Sequence, residues 1–566
     1  MAANDHRQQP STTSQTPGMS VLSALDAEVT VNKTMKILTK ACNASMPKKV
    51  LQTGRPPVYW WNENIARLRR ICNQLRRRAQ RTRRQENWST IHTEFAEARK
   101  KLRHEINKSK ADCWQKIIDE INVDTWGRGY KIVTGKLQAQ NRSSLMDEEV
   151  MESIVNGLFP THPPRDIDYR SVRRTDTPLF TVDELKKAIG ALKNKKAPGP
   201  DGIPSEVLKI ATEACPQLLL RMYNACLGAG VFSKRWKAAR LVLLDKGKGD
   251  PSLPSSWRPL CMLDTAGKGY EKLLLLRLLP AIEQAGDLSP RQYGFRKGRS
   301  TVHALTDVVT AVRRSQEGSR YNRNLALLVT LDVKNAFNSA RWSDMLKALS
   351  IDFRVPPYLL NVMDSYLKNR TLTYETAQGV RTKDITSRAA QGSVLGPQLW
   401  NASYDGVLRL EMPEDCFLVG YADDVAAVVL ARTMDSAQAK LEQIMTRVTE
   451  WMEEHSLALA TSKTEVVIFT RKPIPTIIPM RIGNTEITTK PAARYLGVML
   501  DTKITFGEHL KRTADRAAQK SAALCHLMRN INGPRPCKRR LMMTVVESIL
   551  LYGAEVWADA LSVAYL

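Results

Sequence analysis

The 566-residue sequence predicts an α+β chain, with an antiparallel sheet that carries clustered carboxylates and a strongly basic helical extension before it. Three observations carry that expectation. Residues 325–331, 416–419 and 425–430 are short apolar runs with the length and composition of buried strands. The last two flank Tyr421-Ala422-Asp423-Asp424, so they pair as a hairpin with two carboxylates at its tip. Elsewhere apolar residues recur at helical spacing, as at Ile65, Leu68, Ile71, Cys72, Leu75 and Ala79, the mark of amphipathic helices. Finally, 85 Lys and Arg stand against 57 Asp and Glu, a net charge of +28, which points to a polyanionic partner.

Composition narrows that partner. With 43% hydrophobic residues the chain can bury real cores, and it is long enough for several domains. No run reaches the roughly 18 apolar residues of a membrane span, since even residues 273–279 are broken by Arg277. Residues 1–18 are rich in Ser, Thr, Gln and Pro and lack the apolar stretch of a signal peptide. Nucleic acid is therefore favoured and no membrane is expected. The 9 Cys are scattered without a C-x-x-C pair, and Cys525-His526 with Cys537 lacks a second close pair. Zinc is not expected, and the thiols read as packing residues of a reducing, intracellular compartment.

In chain order, residues 1–30 read as disordered and 31–145 as the basic helical extension. Its first helix bears Arg67, Arg69, Arg70, Arg76, Arg77, Arg78, Arg81, Arg83 and Arg84 with no acid among them. Such a run is usually a solvated face, but these charges repel one another unless phosphates lie nearby, and Arg76, Arg77 and Arg78 are the proposed contacts. A second helical pattern runs through Ile91, Phe95, Ala98, Leu102, Ile106, Cys113 and Ile117. Residues 146–178, with their acids and prolines, read as a linker.

The main domain opens at residue 179. Thr181 and Glu184 have the spacing of a capping box, with Phe180 and Leu185 as its hydrophobic staple, starting a helix that ends near Asn194. Residues 195–202 form a stiff, basic loop of two Lys, two Pro and two Gly. A short strand over 240–244 leads to Lys246, Lys248 and Arg258 on a Gly- and Pro-punctuated loop, which suits a triphosphate. Gly267-Lys268 lacks the upstream Gly of a P-loop. Residues 292–301 interleave Arg296, Lys297 and Arg299 with Tyr293 and Phe295, cations for a backbone and rings for bases, as a single-stranded template requires.

Asp423 and Asp424 alone fit an ordinary turn. Asp332 changes that, because it closes the apolar run 325–331. Three carboxylates from two neighbouring strands are an oxygen donor set for divalent cations in phosphoryl transfer.

Together these stretches resemble a reverse transcriptase of the non-LTR (LINE-type) retrotransposon class. The match is ordered, running through residues 197–203, 257–260, 292–301, 332–337, 391–397, 421–424, 463–465, 495–498 and 551–557. The resemblance implies a right-hand polymerase, with fingers and an antiparallel palm sheet over 179–500 and a thumb, cut short, over 501–566. Asp332 and Asp423 would be metal ligands, with Asp424 completing the acidic site, for two Mg²⁺ ions that Mn²⁺ could replace. Gln391 and Gly392 would lie against the incoming nucleotide and template, and Phe337 beneath its sugar, where a 2′-OH would collide. Lys463 resembles the late-palm lysine near the pyrophosphate leaving group. Residues 495–500 resemble the hairpin that grips the primer end. Beyond them Leu510, Ala514, Ala517, Leu524 and Met528 share a helix face, with Lys511, Arg512, Arg516 and Lys520 on the other. The implied partners are an RNA template, a DNA primer or target, and deoxynucleoside triphosphates; the implied place is the nucleus, after synthesis in the cytoplasm.

The sequence also departs from the family. Leu459-Ala460-Thr461-Ser462 precedes Lys463, where an Asn is usual shortly before the lysine. No apurinic-type endonuclease precedes Trp60-Trp61-Asn62, which resembles only the connector after it, and the sequence stops at Leu566 before any RNase H or Cys/His-rich region. A fragment or a decayed copy is expected on that ground. The leading reading is an RNA-directed DNA polymerase of target-primed reverse transcription. Its rivals are an inactive RNA-binding remnant, opposed by the intact Asp332, Asp423, Asp424 and Gln391, and a maturase-like intron protein, opposed by the stretches at Lys463 and Tyr495.

Overall fold

The computed structural model describes residues 23–46, 58, 60–126, 130, 146–161, 177–247, 249–317, 323–334, 336–387, 392–483, 485–525, 528 and 533–564. Among them the chain forms strands β1 (Ala238–Asp245), β2 (Trp257–Met262), β3 (Leu325–Leu331), β4 (Arg370–Thr376), β5 (Gly379–Ile385), β6 (Cys416–Tyr421), β7 (Asp424–Ala431), β8 (Glu465–Phe469), β9 (Pro479–Ile482), β10 (Thr485–Thr488), β11 (Ala492–Tyr495) and β12 (Val498–Asp501).

The central sheet has the order β6-β7-β3-β8, and every pair in it is antiparallel. Its two faces are both covered, which is why β3 reads as an unbroken apolar run rather than an alternating one. Leu325, Leu327, Val329 and Leu331 enter one core with helices Gly396–Leu408 and Met434–Glu454. Ala326 and Leu328 enter a second core with helix Thr301–Ser315 and the β11–β12 hairpin. Removing one such side chain, as in Leu328→Ala, would cost roughly 2–5 kcal/mol.

A second sheet, β2-β1-β4-β5, pairs β1 with β4 in parallel and its other neighbours antiparallel. It packs on helix Glu148–Leu158 through Met151, Ile154, Val155 and Leu158. This corrects the linker expected over 146–178. Glu148 and Glu149 suggest a loop by composition, but they occupy a helix's first turn, where acids are favoured, and the apolar residues behind them keep helical spacing. Residues 162–176 lie outside the described residues.

The N-terminal reading is corrected as well. Helix Ala24–Ser45 begins inside the stretch expected to be disordered, with a capping box between Ser23 and Asp26. Val31 and Met35 join the main core, and Glu28 accepts from Ser233 Oγ and the Lys234 amide, each at 2.7 Å. The extension proper is a pair of helices, Glu63–Arg81 and Trp88–Val123, sharing a thin seam of Ile65, Cys72, Ala79 and Ile91. Ile118 and Ile121 then pack on Met542 of helix Pro536–Leu550.

The capping box read at Thr181 is present, and helix Val182–Gly190 ends a few residues earlier than Asn194. Arg277 ties that helix down through Glu184, with Nε at 2.9 Å from Oε1 and Nη2 at 3.0 Å from Oε2. Gly267 and Gly269 serve packing, since Cβ atoms there would collide with Trp236 and with Ile189 and Tyr223. Helix Gly507–Cys525 buries His509, Thr513, Ala517 and Leu524, with Leu510 partly buried against the second core; of the expected apolar face Ala514 is exposed. Among the described residues no single helix is long and apolar enough to cross a membrane.

Candidate active site at the end of the central sheet

The register of the central sheet brings the acids together. The β3–β7 ladder ends at Leu331 opposite Val425, so one further step sets Asp332 against Asp424. The β6–β7 ladder ends at Tyr421 opposite Asp424, leaving Ala422 and Asp423 as the turn. On the other side the β3–β8 ladder ends with Thr330 opposite Glu465. Residues 461–463 then form a tight turn, the Ala460 amide donates to the Asp332 carbonyl at 2.7 Å, and the turn brings Lys463 to Asp332. The side chains meet there: Lys463 Nζ donates to Asp332 Oδ2 at 2.6 Å.

The turn is held from below. Ala422 adopts the left-handed region at φ 61°, a strained conformation for a residue with a Cβ. Its amide donates to Gln292 Oε1 at 3.1 Å, and its carbonyl accepts from Trp400 Nε1 at 3.2 Å. Gly294 lies so close that a Cβ would collide with the Ala422 backbone, and Asn401 Nδ2 donates to the Gly294 carbonyl at 2.9 Å. Tyr293 and Gly420 lock the neighbouring segments by a 2.8 Å amide-to-carbonyl bond. The supporting role of Gln292 was not read from its stretch, and Trp400 and Asn401 were missed, because these contacts join segments far apart in sequence.

Confinement raises the acids' affinity for protons. Burial, then the charge of Asp332, pushes the Asp423 carboxyl above its ordinary value. Burial, followed by the charges of Asp423 and Asp332, pushes Asp424 up to about 6, although the residue keeps an exposed face. Beneath them Tyr404 stacks on Trp400 at 4.7 Å, is 1% exposed, and has no partner for its hydroxyl among the described residues. Burial, then the field of the three aspartates, pushes that hydroxyl above the ordinary tyrosine range. Like charges crowded this way favour a bound cation. Lys463 already supplies one positive charge to Asp332, and the hard oxygen donors suit Mg²⁺ or Mn²⁺. Among the described residues no group of three His, Cys, Asp or Glu side chains is placed to hold a metal ion.

Two further cations lie near Lys463. Lys246 follows β1, and its ammonium donates to the Ser255 carbonyl at 2.9 Å. Burial, then the charges of Arg258 and Lys463, lowers its pKa, so these three cations share one electrostatic neighbourhood. Arg258 is exposed on β2, opposite Leu244. Gly392 sits at φ 112°, where a Cβ would fall 2.6 Å from the Cys261 carbonyl of β2. Phe337 belongs to the short helix Ala336–Ser339, just past Asp332; its side chain, Gln391 and Lys248 lie outside the described residues.

The expected template segment divides. Lys297 and Arg299 are exposed, with Arg299 5.3 Å over the Tyr293 ring. Arg296 is turned inward, which corrects its expected role. Its side chain is 14% exposed, pairs with Asp287, and donates to the Ser289 carbonyl at 2.8 Å. Tyr293 is buried, its hydroxyl on Asp307 at 3.1 Å, and so has no face for a base; Phe295 is exposed. Arg76, Arg77 and Arg78 are exposed on the extension.

Comparison with known proteins covers the same part of the chain. Residues 245–500, which contain all three aspartates and Lys463, match the family described as reverse transcriptase (RNA-dependent DNA polymerase). The chain is 27% identical over 533 residues to the retrovirus-related Pol polyprotein from type-1 retrotransposable element R1 of Bradysia coprophila, covering 89% of this chain and 51% of that protein. It is 26% identical over 555 residues to a putative 115 kDa protein in element R1DM of Drosophila melanogaster, covering 95% and 52%. Against the RNA-directed DNA polymerase from mobile element jockey of the same fly, identity is 28% over 393 residues, 67% of this chain and 42% of that one. The chain thus spans about half the length of the first two relatives.

Proposed function

Because residues 245–500 are a reverse transcriptase domain and the chain is related to non-LTR retrotransposon polymerases over most of its length, we propose that it copies RNA into DNA by adding deoxynucleotides to a primer 3′-OH. The domain implies a right-hand polymerase fold, and on that reading the central sheet is the palm, the second sheet belongs to the fingers, and helix Gly507–Cys525 to the thumb. The observation that carries the proposal is that Asp332 and Asp423-Asp424 meet at one end of the sheet, with the Lys463 ammonium on Asp332.

Asp332 and Asp423 would hold the divalent ions, with Asp424 completing the acidic set. Two Mg²⁺ ions, when bound, supply charge for the attacking and leaving oxygens of an in-line displacement. Lys246, Arg258 and Lys463 would draw in the triphosphate, and Lys463 would neutralise charge on the departing pyrophosphate. Gly392 would let the backbone come close to nucleotide and template beside Gln391, and Phe337 would exclude the ribose 2′-OH. Lys297, Arg299 and the arginines of helix Glu63–Arg81 would hold phosphates of the RNA template. Target-primed synthesis on a DNA target would be the setting of that reaction.

Primer extension on an RNA template, with and without Mg²⁺ and with Asp332→Asn as control, tests the proposal. Metal-dependent extension lost in the variant is expected. No extension with any divalent metal, together with intact RNA binding, would leave the inactive RNA-binding remnant as the better account.

A further inference from the structure

Helix Thr265–Gln284 buries a carboxylate that the site as described does not use. Glu271 is 1% exposed, and its Oε2 accepts from the amides of Val394 at 2.5 Å and Leu395 at 2.9 Å. Those amides begin helix Gly396–Leu408, whose first N–H groups have no partner inside the helix. A local Ser, Thr, Asp or Asn side chain normally caps such a start. Here Leu395 stands at the cap position; Ser393 Oγ accepts only from the Gly396 amide, at 3.1 Å, and the acceptor for the two amides before it comes from a separate helix. Burial pushes the Glu271 carboxyl up, while the two amides and the charges of Arg370 and Lys268 pull it down. A carboxylate placed there at such a desolvation cost fixes position, since an apolar side chain would pack as well without it.

What it fixes is the junction of three parts. On one side the loop is pressed onto β2, with Gly392 against the Cys261 carbonyl. On the other, the same helix carries Trp400 to the Ala422 carbonyl and Asn401 to the Gly294 carbonyl, both under the acidic turn. We infer that Glu271 is a positioning residue for the incoming nucleotide: it holds the 392–395 loop and the helix behind it in register with Asp423. The inference rests on the polymerase reading of the site.

The test compares Glu271→Ala and Glu271→Gln in the full chain. Gln keeps an oxygen that can accept both amides, so it should stay within about threefold of wild type. Ala leaves the amides bare; KM for deoxynucleoside triphosphate should rise about tenfold or more, while affinity for template and primer stays unchanged. A merely structural role would reduce the fraction of folded enzyme, lowering apparent kcat with KM unaltered, and that result would overturn the inference. Amide hydrogen exchange of Val394 and Leu395 gives a reading free of activity, with protection lost in Glu271→Ala and kept in Glu271→Gln. If wild type extends no primer, the polymerase reading fails on its own account. Unchanged exchange in Glu271→Ala would sink the anchor.

Discussion

The acidic turn and the arginine-rich helix both crowd like charges, and they manage the crowding in opposite ways. Asp332, Asp423 and Asp424 are confined on a rigid sheet whose two faces are packed, so their repulsion cannot be relieved by moving apart. It appears as raised proton affinity at Asp423 and Asp424 and as an ion pair from Lys463 to Asp332. The nine arginines from Arg67 to Arg84 are all exposed on the extension, where water and salt screen them. Among the described residues none pairs with a carboxylate. The difference separates two kinds of demand. The turn needs a few point cations at fixed places, whereas the helix suits a long polyanion at loosely defined ones.

The comparison breaks first at the turn. Asp423→Asn keeps the shape and removes one ligand charge, so extension should fall by roughly a thousandfold or more while RNA affinity changes little. Equal loss of RNA binding would mean that the turn is needed for folding rather than for charge. Lys463→Gln comes next. Its pair with Asp332 is exposed enough to be worth only about 0–1 kcal/mol of stability, so melting should hardly change, whereas loss of a cation at the leaving group should slow extension up to roughly a hundredfold. Freeing Asp332 should also lower the Mg²⁺ concentration needed for half-maximal rate. A variant with unchanged rate and unchanged Mg²⁺ dependence would make the pair a surface contact only.

The helix is tested by salt. Replacing Arg76, Arg77 and Arg78 together by Ala should flatten the dependence of log affinity on log salt by about 2 units on single-stranded RNA, near 0.7 per lost contact. Extension at saturating template should be unaffected. An unaltered slope would return the helix to an ordinary solvated face.

Much of the turn was legible because it depends on short-range pattern. Strand length, the hairpin spacing and the position of Asp332 at the end of an apolar run all lie within a few residues. What stayed hidden depends on which partners the fold brings to each side chain. Arg296 looks like its neighbours Lys297 and Arg299, and composition does not reveal that Asp287 and the Ser289 carbonyl already use its donors. Glu271 sits in a Leu-rich helix with nothing nearby to mark the amides it will meet 123 and 124 residues later. Helix Glu148–Leu158 was obscured by a different cause, acids that read as loop composition but favour a helix start.

The smallest expected effect sharpens the contrast most, because it separates charge confinement from catalysis. The Asp424 carboxyl is pushed up to about 6 by burial and by Asp423 and Asp332, against roughly 3.9 for a free aspartate. Its proton affinity is therefore higher in the folded chain than in the unfolded one. Between about pH 4 and 6 the folded state binds more protons, so this group's contribution to stability grows as pH falls through that window, and its charge is most costly above about pH 6. Asp424→Asn removes the charge at every pH. In EDTA at pH 7.5 the variant should melt higher than wild type, by only about 1 °C because the residue's exposed face screens the repulsion, and the gain should vanish near pH 4. Saturating Mg²⁺ should reverse the order, since wild type gains more from binding the ion. The nine exposed arginines predict no such reversal: Arg77→Ala should melt alike with and without Mg²⁺. If Asp424→Asn melts no higher than wild type in EDTA at pH 7.5, repulsion among the three acids is not what the turn stores, and the contrast with the helix fails at its root.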